Sequence, residues 1–186
     1  MFDAITETNY RFVFTMTGGG TEFIGNLLSG GGLSKHVLSC NVPYSQRALR
    51  NYIARWHPTP SHVHSHKIDK YVSEETAITM ATSSFYEGHT LTDDTEVVGL
   101  GCTSALQRRG DDREGREYKA FCALCSDELG LKTFKLELNK SNRKEHEEMN
   151  ACFIQECLLR FLINDTERTL HTPQKWEGFK DFTECV

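Results

Sequence analysis

The sequence has no long apolar run and no excess of basic residues. No segment approaches the roughly 18 apolar residues that a membrane-spanning helix needs, and the first ten residues lack the basic and apolar regions of a secretion signal. With a net charge of -5, the chain also lacks the broad basic surface that holds nucleic acid by bulk electrostatics. We therefore expect a cytoplasmic protein that binds neither membranes nor nucleic acid.

Regularly spaced cysteines, which would indicate a disulfide framework or a zinc site, are also missing. The seven cysteines are scattered over 186 residues, and this length is enough to build a core without disulfides. Cys122 and Cys125 form a single C-x-x-C pair, but they lie in a predicted strand, where positions i and i+3 face opposite sides. We interpret the cysteines as reduced thiols in a single domain spanning 1–186, with a core at about 10–163 and a C-terminal tail at 164–186.

Hydrophobic patterning predicts strands that alternate with helices. The predicted elements are a strand at 12–17 followed by a helix, a strand over 36–44, a helix over 45–56 capped by Ser45, a helix from Ser73 to about Tyr86, a strand over 96–102, a hairpin of 118–125 with 132–138, and a long helix from about Asn142. The alternation of strands and helices together with one hairpin predicts a three-layer α/β/α sandwich with a mixed sheet.

A glycine turn follows the first predicted strand. Thr15, Met16 and Thr17 lead into Gly18-Gly19-Gly20 and Thr21, and an amphipathic helix pattern resumes at Glu22. Unpaired backbone N–H groups at a helix N-terminus suit a phosphate or carboxylate, and glycine allows close approach. The turn matches neither G-x-G-x-x-G nor the P-loop. It predicts either an anion site or a plain turn before a core helix.

A basic loop follows the strand that ends near Thr103-Ser104-Ala105. Its cations are Arg108, Arg109, Arg113, Arg116 and Lys119. Ligands in open α/β sheets collect beyond the carboxyl ends of strands, and arginines bind phosphate through bidentate hydrogen bonds. Nearby acidic residues nearly neutralise the loop, so a solvated surface is the alternative. Tyr44, at a strand end, is a further candidate for ligand contact.

Four histidines are concentrated between two predicted helices. They are His57, His62, His64 and His66, and alternate residues of an extended segment point to one side. No cysteine or carboxylate lies at fixed spacing around them to complete a ligand set. We predict no functional metal and no cofactor.

The order of these motifs resembles the C-terminal domain of the CinA family of competence- and damage-inducible proteins. The A-E-S-C-T-G-G motif corresponds to 13–19, the Y-S-N-E-A-K motif to 44–49, and the V-S-x-E-x-A-x-x-M-A helix to 72–81. The T-G-I-A-G-P turn falls on 100–105, and the arginine that opens the last helix falls on Arg143. The match covers about 12–162, and the family's stand-alone members are nicotinamide-mononucleotide amidohydrolases.

This resemblance implies a set of site residues. Thr15 takes the position of the family's nucleophilic serine, and Tyr44 is the second candidate catalytic residue. The residues that the resemblance assigns to the substrate or its phosphate are Thr17, Gly18, Gly19, Ser45 and Arg143, and the glycine turn and the strand end add Gly20, Thr103 and Ser104 as candidate binding residues. The family's lysine after the tyrosine motif is replaced by Leu49, which cannot move a proton.

Two functions stay open at this point. The first is an amidohydrolase that acts on a pyridine nucleotide through a threonine nucleophile, with the glycine turn holding the oxyanion. The second is a binding or regulatory module that holds a nucleotide or another phosphorylated ligand without turning it over. Both functions predict a small-molecule ligand, and we also expect a homo-oligomer.

Overall fold

A mixed six-stranded sheet forms the centre of the protein. The computed structural model describes residues 5–57, 68–94, 96–108, 110, 115–163 and 179–185. Its strands are β1 (Arg11–Thr17), β2 (Val37–Asn41), β3 (Val97–Ala105), β4 (Tyr118–Ser126), β5 (Gly130–Leu138) and β6 (Phe179–Cys185). The order across the sheet is β2-β1-β3-β4-β5-β6. β1 is parallel to β2 and β3, and the remaining neighbours are antiparallel.

Two helices cover each face of this sheet. In the described ranges the long helices are α1 (Thr21–Ser29), α2 (Gln46–Trp56), α3 (Glu74–Leu91) and α4 (Arg143–Ile163). α1 and α4 pack together over the larger core, whereas α2 packs on α3 over the opposite face. The predicted three-layer α/β/α sandwich is confirmed. None of the helices in the described part of the chain is long and apolar enough to cross a membrane.

Side-chain caps fix the starts of the two helices on the α2/α3 face. The Ser45 hydroxyl accepts a hydrogen bond from the Ala48 N–H at 3.1 Å, and the Ser73 hydroxyl accepts one from the Thr76 N–H at 3.2 Å. Serine is favoured at this position because it satisfies a backbone donor that has no partner within the helix. The predicted start of α2 is therefore correct to the residue.

Two elements extend three or more residues beyond their predicted bounds, and one strand was not predicted. α3 continues past Tyr86 to Leu91 because Glu87 and Gly88 stay buried against the sheet. β3 includes Thr103-Ser104-Ala105, expected as a turn, because this segment is paired with β1 on one side and β4 on the other. The tail contributes β6, a strand that the sequence pattern did not predict, which pairs with β5.

Alternation along β1 sends its side chains to opposite faces. Phe12, Phe14 and Met16 belong to the core beneath α1 and α4. Thr15 therefore points to the other face, where it contacts α2 and α3. β1 thus presents aromatic and apolar side chains to the larger core, and Val13, Thr15 and Thr17 to the opposite face.

The backbone of α3 lies directly on β3, with glycines at the contact. A Cβ atom on Gly101 would lie 2.5 Å from the Ala77 carbonyl oxygen and 2.6 Å from the Met80 Cβ. A Cβ on Gly99 would lie 2.8 Å from the Phe85 Cα. No side chain fits between the two elements, so glycine is required here for close packing and not for an unusual φ angle.

Replacing Gly101 by alanine should therefore destabilise the protein. We expect the free energy of unfolding to fall by about 1 to 3 kcal/mol, because α3 must move away from the sheet. Denaturant titration of Gly101→Ala measures it. Gly25→Ala is the control, since Gly25 is exposed in α1 and a Cβ added there would have nothing within 4 Å, and it should gain about 0.5 to 1 kcal/mol. Equal stability of the two variants would contradict the packing.

Candidate ligand-binding cleft

A cleft opens where β1 and β3 end and α2 and α4 begin. Its cavity volume is about 310 Å³, at the small end of the range for ligand sites. The residues lining it are Thr17, Gly18, Tyr44, Ser45, Gln46, Leu49, Tyr71, Val72, Thr103, Ser104, Ala105, Leu106, Arg108, Arg116 and Arg143. The site predicted from the glycine turn and the basic loop thus draws on both segments, as expected for the carboxyl ends of neighbouring parallel strands.

Gly18 is the residue of the glycine turn that lines the cleft, and Gly19 and Gly20 are not among the lining residues. Gly18 has φ +79°, and a Cβ there would collide with the carbonyl oxygen of Ser104. Gly20 has φ +93° and caps α1 in the left-handed conformation. Glycine is therefore needed at both positions, first for backbone contact with β3 and then for entry into the helix.

A carboxylate already occupies the N-terminus of α1. Glu147 Oε2 accepts a hydrogen bond from the Gly20 N–H at 3.0 Å, and Glu147 Oε1 accepts one from the Thr21 hydroxyl at 3.0 Å. A negative side chain at this end of a helix is favoured by the helix dipole. The helix start after the turn therefore does contact an anion, but this anion is the Glu147 side chain of α4. Sequence reasoning missed Glu147; its spacing from Arg143 indicates an i,i+4 pair but not this contact.

Arg143 connects α4 to the glycine turn. Its Nη2 donates to the Gly18 carbonyl oxygen at 3.0 Å and lies 3.9 Å from Glu147 Oε2. The guanidinium therefore holds the turn in place while one side of it faces the cleft. The positive charge of Arg143 is partly matched within the protein.

Thr15, the candidate nucleophile, is completely buried and is not among the residues that line the cleft. Its hydroxyl donates to the Tyr52 hydroxyl and accepts from Ser84, both at 2.8 Å. Tyr52 in turn donates to Glu87 Oε2 at 2.6 Å, and Asn41 donates to the same oxygen at 2.8 Å. Burial and the bond to Glu87 raise the pKa of Tyr52, so the phenol stays protonated.

The other predicted hydroxyls lie at the cleft and have protein partners. Thr17 donates to the Pro43 carbonyl oxygen at 3.1 Å, and Thr103 donates to the Tyr71 carbonyl oxygen at 2.6 Å. The Ser104 hydroxyl accepts from Asn150 at 2.9 Å, and that of Ser45 caps α2. These residues hold the cleft walls together. A Cβ on Gly19 would meet Leu106 and Glu147, and Gly19 does not line the cleft.

One wall of the cleft is apolar and aromatic. Leu49, the residue in place of the family lysine, is 1% exposed and packs with Ile53 and Met80 while its side chain borders the cleft. Tyr44 is 69% exposed at the rim, and Tyr71 lies on the same cleft. These residues supply contact surface to the cleft and include no carboxylate, histidine or lysine.

Basic side chains also line the cleft. Arg108 follows β3 and Arg116 precedes β4, and both line the cleft together with Arg143. Arg109 and Arg113, also predicted for this loop, lie outside the described residues, and Lys119 pairs with Glu117 at 2.7 Å away from the cleft. No aspartate or glutamate is among the described lining residues.

The backbone leading to Arg108 is tied to α4 by a histidine. His146 is fully buried, its Nδ1 accepts the Gln107 N–H at 3.0 Å, and its Nε2 bonds the Asn139 carbonyl oxygen at 2.8 Å. Because Asn139 offers only an acceptor, Nε2 carries the proton and the ring is neutral. Burial, with a smaller contribution from Arg143, lowers the pKa of His146 below its usual 6.5.

The predicted metal candidates do not form a site in the described part of the chain. Within it, no group of three His, Cys, Asp or Glu side chains is arranged to hold a metal ion. His62, His64 and His66 lie outside the described residues. Cys122 is buried and Cys125 is half-buried in β4, as expected for positions on opposite faces of a strand.

Removing the Thr15 hydroxyl should cost stability. We expect Thr15→Val to lower the free energy of unfolding by about 1 to 2 kcal/mol, because Tyr52 and Ser84 each lose a buried partner. Chemical denaturation measures the change. Thr79→Val, which removes an exposed hydroxyl in α3, is the control and should stay within about 0.5 kcal/mol of the wild type. A Thr15→Val protein as stable as the control would contradict the buried network.

Stability should also depend on pH through His146. A histidine whose folded pKa is lowered contributes stability above its unfolded pKa, and this contribution is lost as the pH falls through 6.5 towards the folded pKa. We expect the stability advantage of wild type over His146→Gln to shrink between pH 7.5 and pH 5, as measured by urea titration. Subtracting the stability of His146→Gln from that of the wild type at each pH removes the contribution of all other titrating groups. A constant advantage over this range would show that His146 does not titrate in this way.

Comparison with known proteins supports the fold. No family model matches this chain, and no curated protein matches its sequence. A competence or damage-inducible protein from Enterobacter asburiae is similar in structure, with a TM-score of 0.64 at 15% identity over 86% of this chain and 92% of that one. The competence/damage inducible protein CihA from Agrobacterium tumefaciens has a TM-score of 0.64 at 14% identity, over 86% and 90%. A CinA superfamily protein from Klebsiella pneumoniae has a TM-score of 0.61 at 16% identity, over 87% and 92%. The chain therefore has the fold of the CinA superfamily, as its motifs indicated.

Proposed function

We propose that this CinA-like domain binds a nucleotide or another small phosphorylated ligand in the cleft without hydrolysing it. The observation that carries the proposal is the charge of the cleft lining, which includes Arg108, Arg116 and Arg143 and no described aspartate or glutamate. The chain as a whole has a net charge of -5. A local cluster of guanidinium groups on an acidic protein is suited to a compact anion such as phosphate.

The remainder of the cleft suits the uncharged part of such a ligand. Leu49, Val72 and Leu106 line it with apolar surface, and Tyr44 and Tyr71 add aromatic rings. A ring with one polar edge, such as a nicotinamide or a nucleobase, can bury its faces against this wall. A cavity of about 310 Å³ accommodates a mononucleotide more readily than a dinucleotide.

The positions that would carry catalysis argue against turnover. A nucleophile must reach the substrate, whereas the Thr15 hydroxyl is buried between Tyr52 and Ser84. A proton acceptor must lie beside it, and Leu49 stands in place of the family lysine. Tyr44 is exposed at the rim, where it can contact a ligand but is not part of the Thr15 network.

The second candidate is an amidohydrolase that acts on nicotinamide mononucleotide. One observation favours it, namely the chain of hydrogen bonds from Thr15 through Tyr52 to Glu87. Such a chain can carry a proton from a threonine nucleophile to a carboxylate, which would replace the missing lysine. It also requires Thr15 to become exposed to the cleft when the substrate binds.

A binding assay on the full chain tests the proposal. We expect nicotinamide mononucleotide or adenosine monophosphate, at about 100 times its dissociation constant, to raise the melting temperature by at least about 5 °C. Isothermal titration should give a matching affinity that weakens as salt is added. A flat response to these mononucleotides in both measurements would contradict the proposal.

A parallel assay separates binding from turnover. Ammonia is followed during incubation with nicotinamide mononucleotide, with Thr15→Val as the matched control. We expect no release above that of the control while the ligand still binds. Release that is lost in Thr15→Val would establish the amidohydrolase and overturn the assignment as a module that only binds.

A further inference from the structure

We infer that Arg108 and Arg116, at the β3–β4 end of the cleft, hold the phosphate of the ligand, and that the glycine turn does not. This inference rests on the proposed function and assigns the orientation of the ligand within the site. The sequence pattern predicted an anion site at the glycine turn, whereas this inference places the phosphate on two arginines outside that turn.

The glycine turn is already supplied with an anion. The Glu147 carboxylate takes the Gly20 N–H with one oxygen and the Thr21 hydroxyl with the other. A phosphate at the same helix end would have to displace this carboxylate or lie beside it, and two anions at such a distance repel each other. The favourable end of the α1 dipole is therefore not available to a ligand.

Arg143 is also committed within the protein. It donates to the Gly18 carbonyl oxygen and has Glu147 as its ion-pair partner at 3.9 Å. Both contacts are made by Nη2, so the protein holds this nitrogen and the guanidinium has fewer donors left for a ligand. Arg143 is thus a residue that positions the turn, and its contribution to anion binding is secondary.

Arg108 and Arg116 approach the cleft from the same edge of the sheet. β3 and β4 are antiparallel neighbours with Ala105 opposite Lys119, so the residues just after β3 and just before β4 lie side by side. Arg108 is exposed and forms no ion pair with a described residue, and the Arg116 guanidinium lies 5.8 Å from the centre of the Tyr118 ring. Both line the cleft.

The backbone beneath this pair is fixed. The Gln107 N–H is held by buried His146, and Leu106 is buried against the core. Two cations held at one end of a cleft match the charge of a phosphate dianion, and each guanidinium can bind two phosphate oxygens. The ligand then lies with its phosphate at Arg108 and Arg116 and with its ring towards Leu49 and Tyr44.

Titration calorimetry with matched ligands tests this orientation. The probes are nicotinamide mononucleotide against nicotinamide riboside, and adenosine monophosphate against adenosine. We expect Arg108→Gln and Arg116→Gln each to weaken mononucleotide binding about tenfold or more and to leave riboside or nucleoside binding unchanged. Both arginines are at least partly exposed, so the variants should fold, which their melting temperatures confirm.

Two further variants serve as controls. Lys119→Gln removes a neighbouring positive charge that does not line the cleft, and it should change mononucleotide affinity less than about twofold. Glu147→Gln removes the internal anion, and we expect it to leave mononucleotide affinity within a few-fold of wild type. A gain of about tenfold or more in Glu147→Gln would place the phosphate at the glycine turn and overturn the inference.

The result also separates this inference from the proposed function. If the wild type binds the mononucleotides and neither arginine variant weakens binding, the inference is wrong and the proposed function stands. If the wild type binds none of the probes, the proposed function fails and the inference fails with it. Equal weakening by Lys119→Gln and the arginine variants would show a general effect of charge and would also overturn the inference.

Discussion

The close contact between α3 and β3 is the constraint on which the rest of the structure depends. Gly99 and Gly101 let the helix backbone lie on the strand without intervening side chains. This contact brings Ser84 to Thr15 and sets the start of α3 beside the end of β3, where the Thr103 hydroxyl reaches the Tyr71 carbonyl oxygen at 2.6 Å. The geometry of the cleft thus depends on the close packing of α3 on β3.

The acidic and basic side chains around the cleft differ in their positions. Two acidic side chains are satisfied internally, Glu147 at the start of α1 and Glu87 by Asn41 and Tyr52. Each stabilises one wall, and neither lines the cleft. The positive charge at the cleft comes from Arg108, Arg116 and Arg143, and we propose that the first two hold the phosphate of the ligand. An acidic chain can in this way present a local anion site without a basic surface.

The fold and the position of the cleft follow from local patterns, whereas the burial and the hydrogen-bond partners of individual side chains do not. Alternating strands and helices, the Ser45 and Ser73 caps and the glycine turn predicted the layers and the cleft, because these signals depend on residues close in sequence. The Glu147 contact with Gly20 and the burial of Thr15 depend on segments far apart in the chain. β6 was missed because its pairing with β5 depends on the sheet edge more than on its own pattern.

The most direct test is a crystal structure of the full chain with bound nicotinamide mononucleotide. We expect phosphate oxygens within about 3 Å of the Arg108 and Arg116 guanidinium groups, an intact carboxamide, and a Thr15 hydroxyl that still donates to Tyr52. A phosphate bound at the Gly18-Gly19-Gly20 turn with Glu147 displaced, and a carboxamide carbon in contact with the Thr15 hydroxyl, would contradict both the orientation and the absence of turnover.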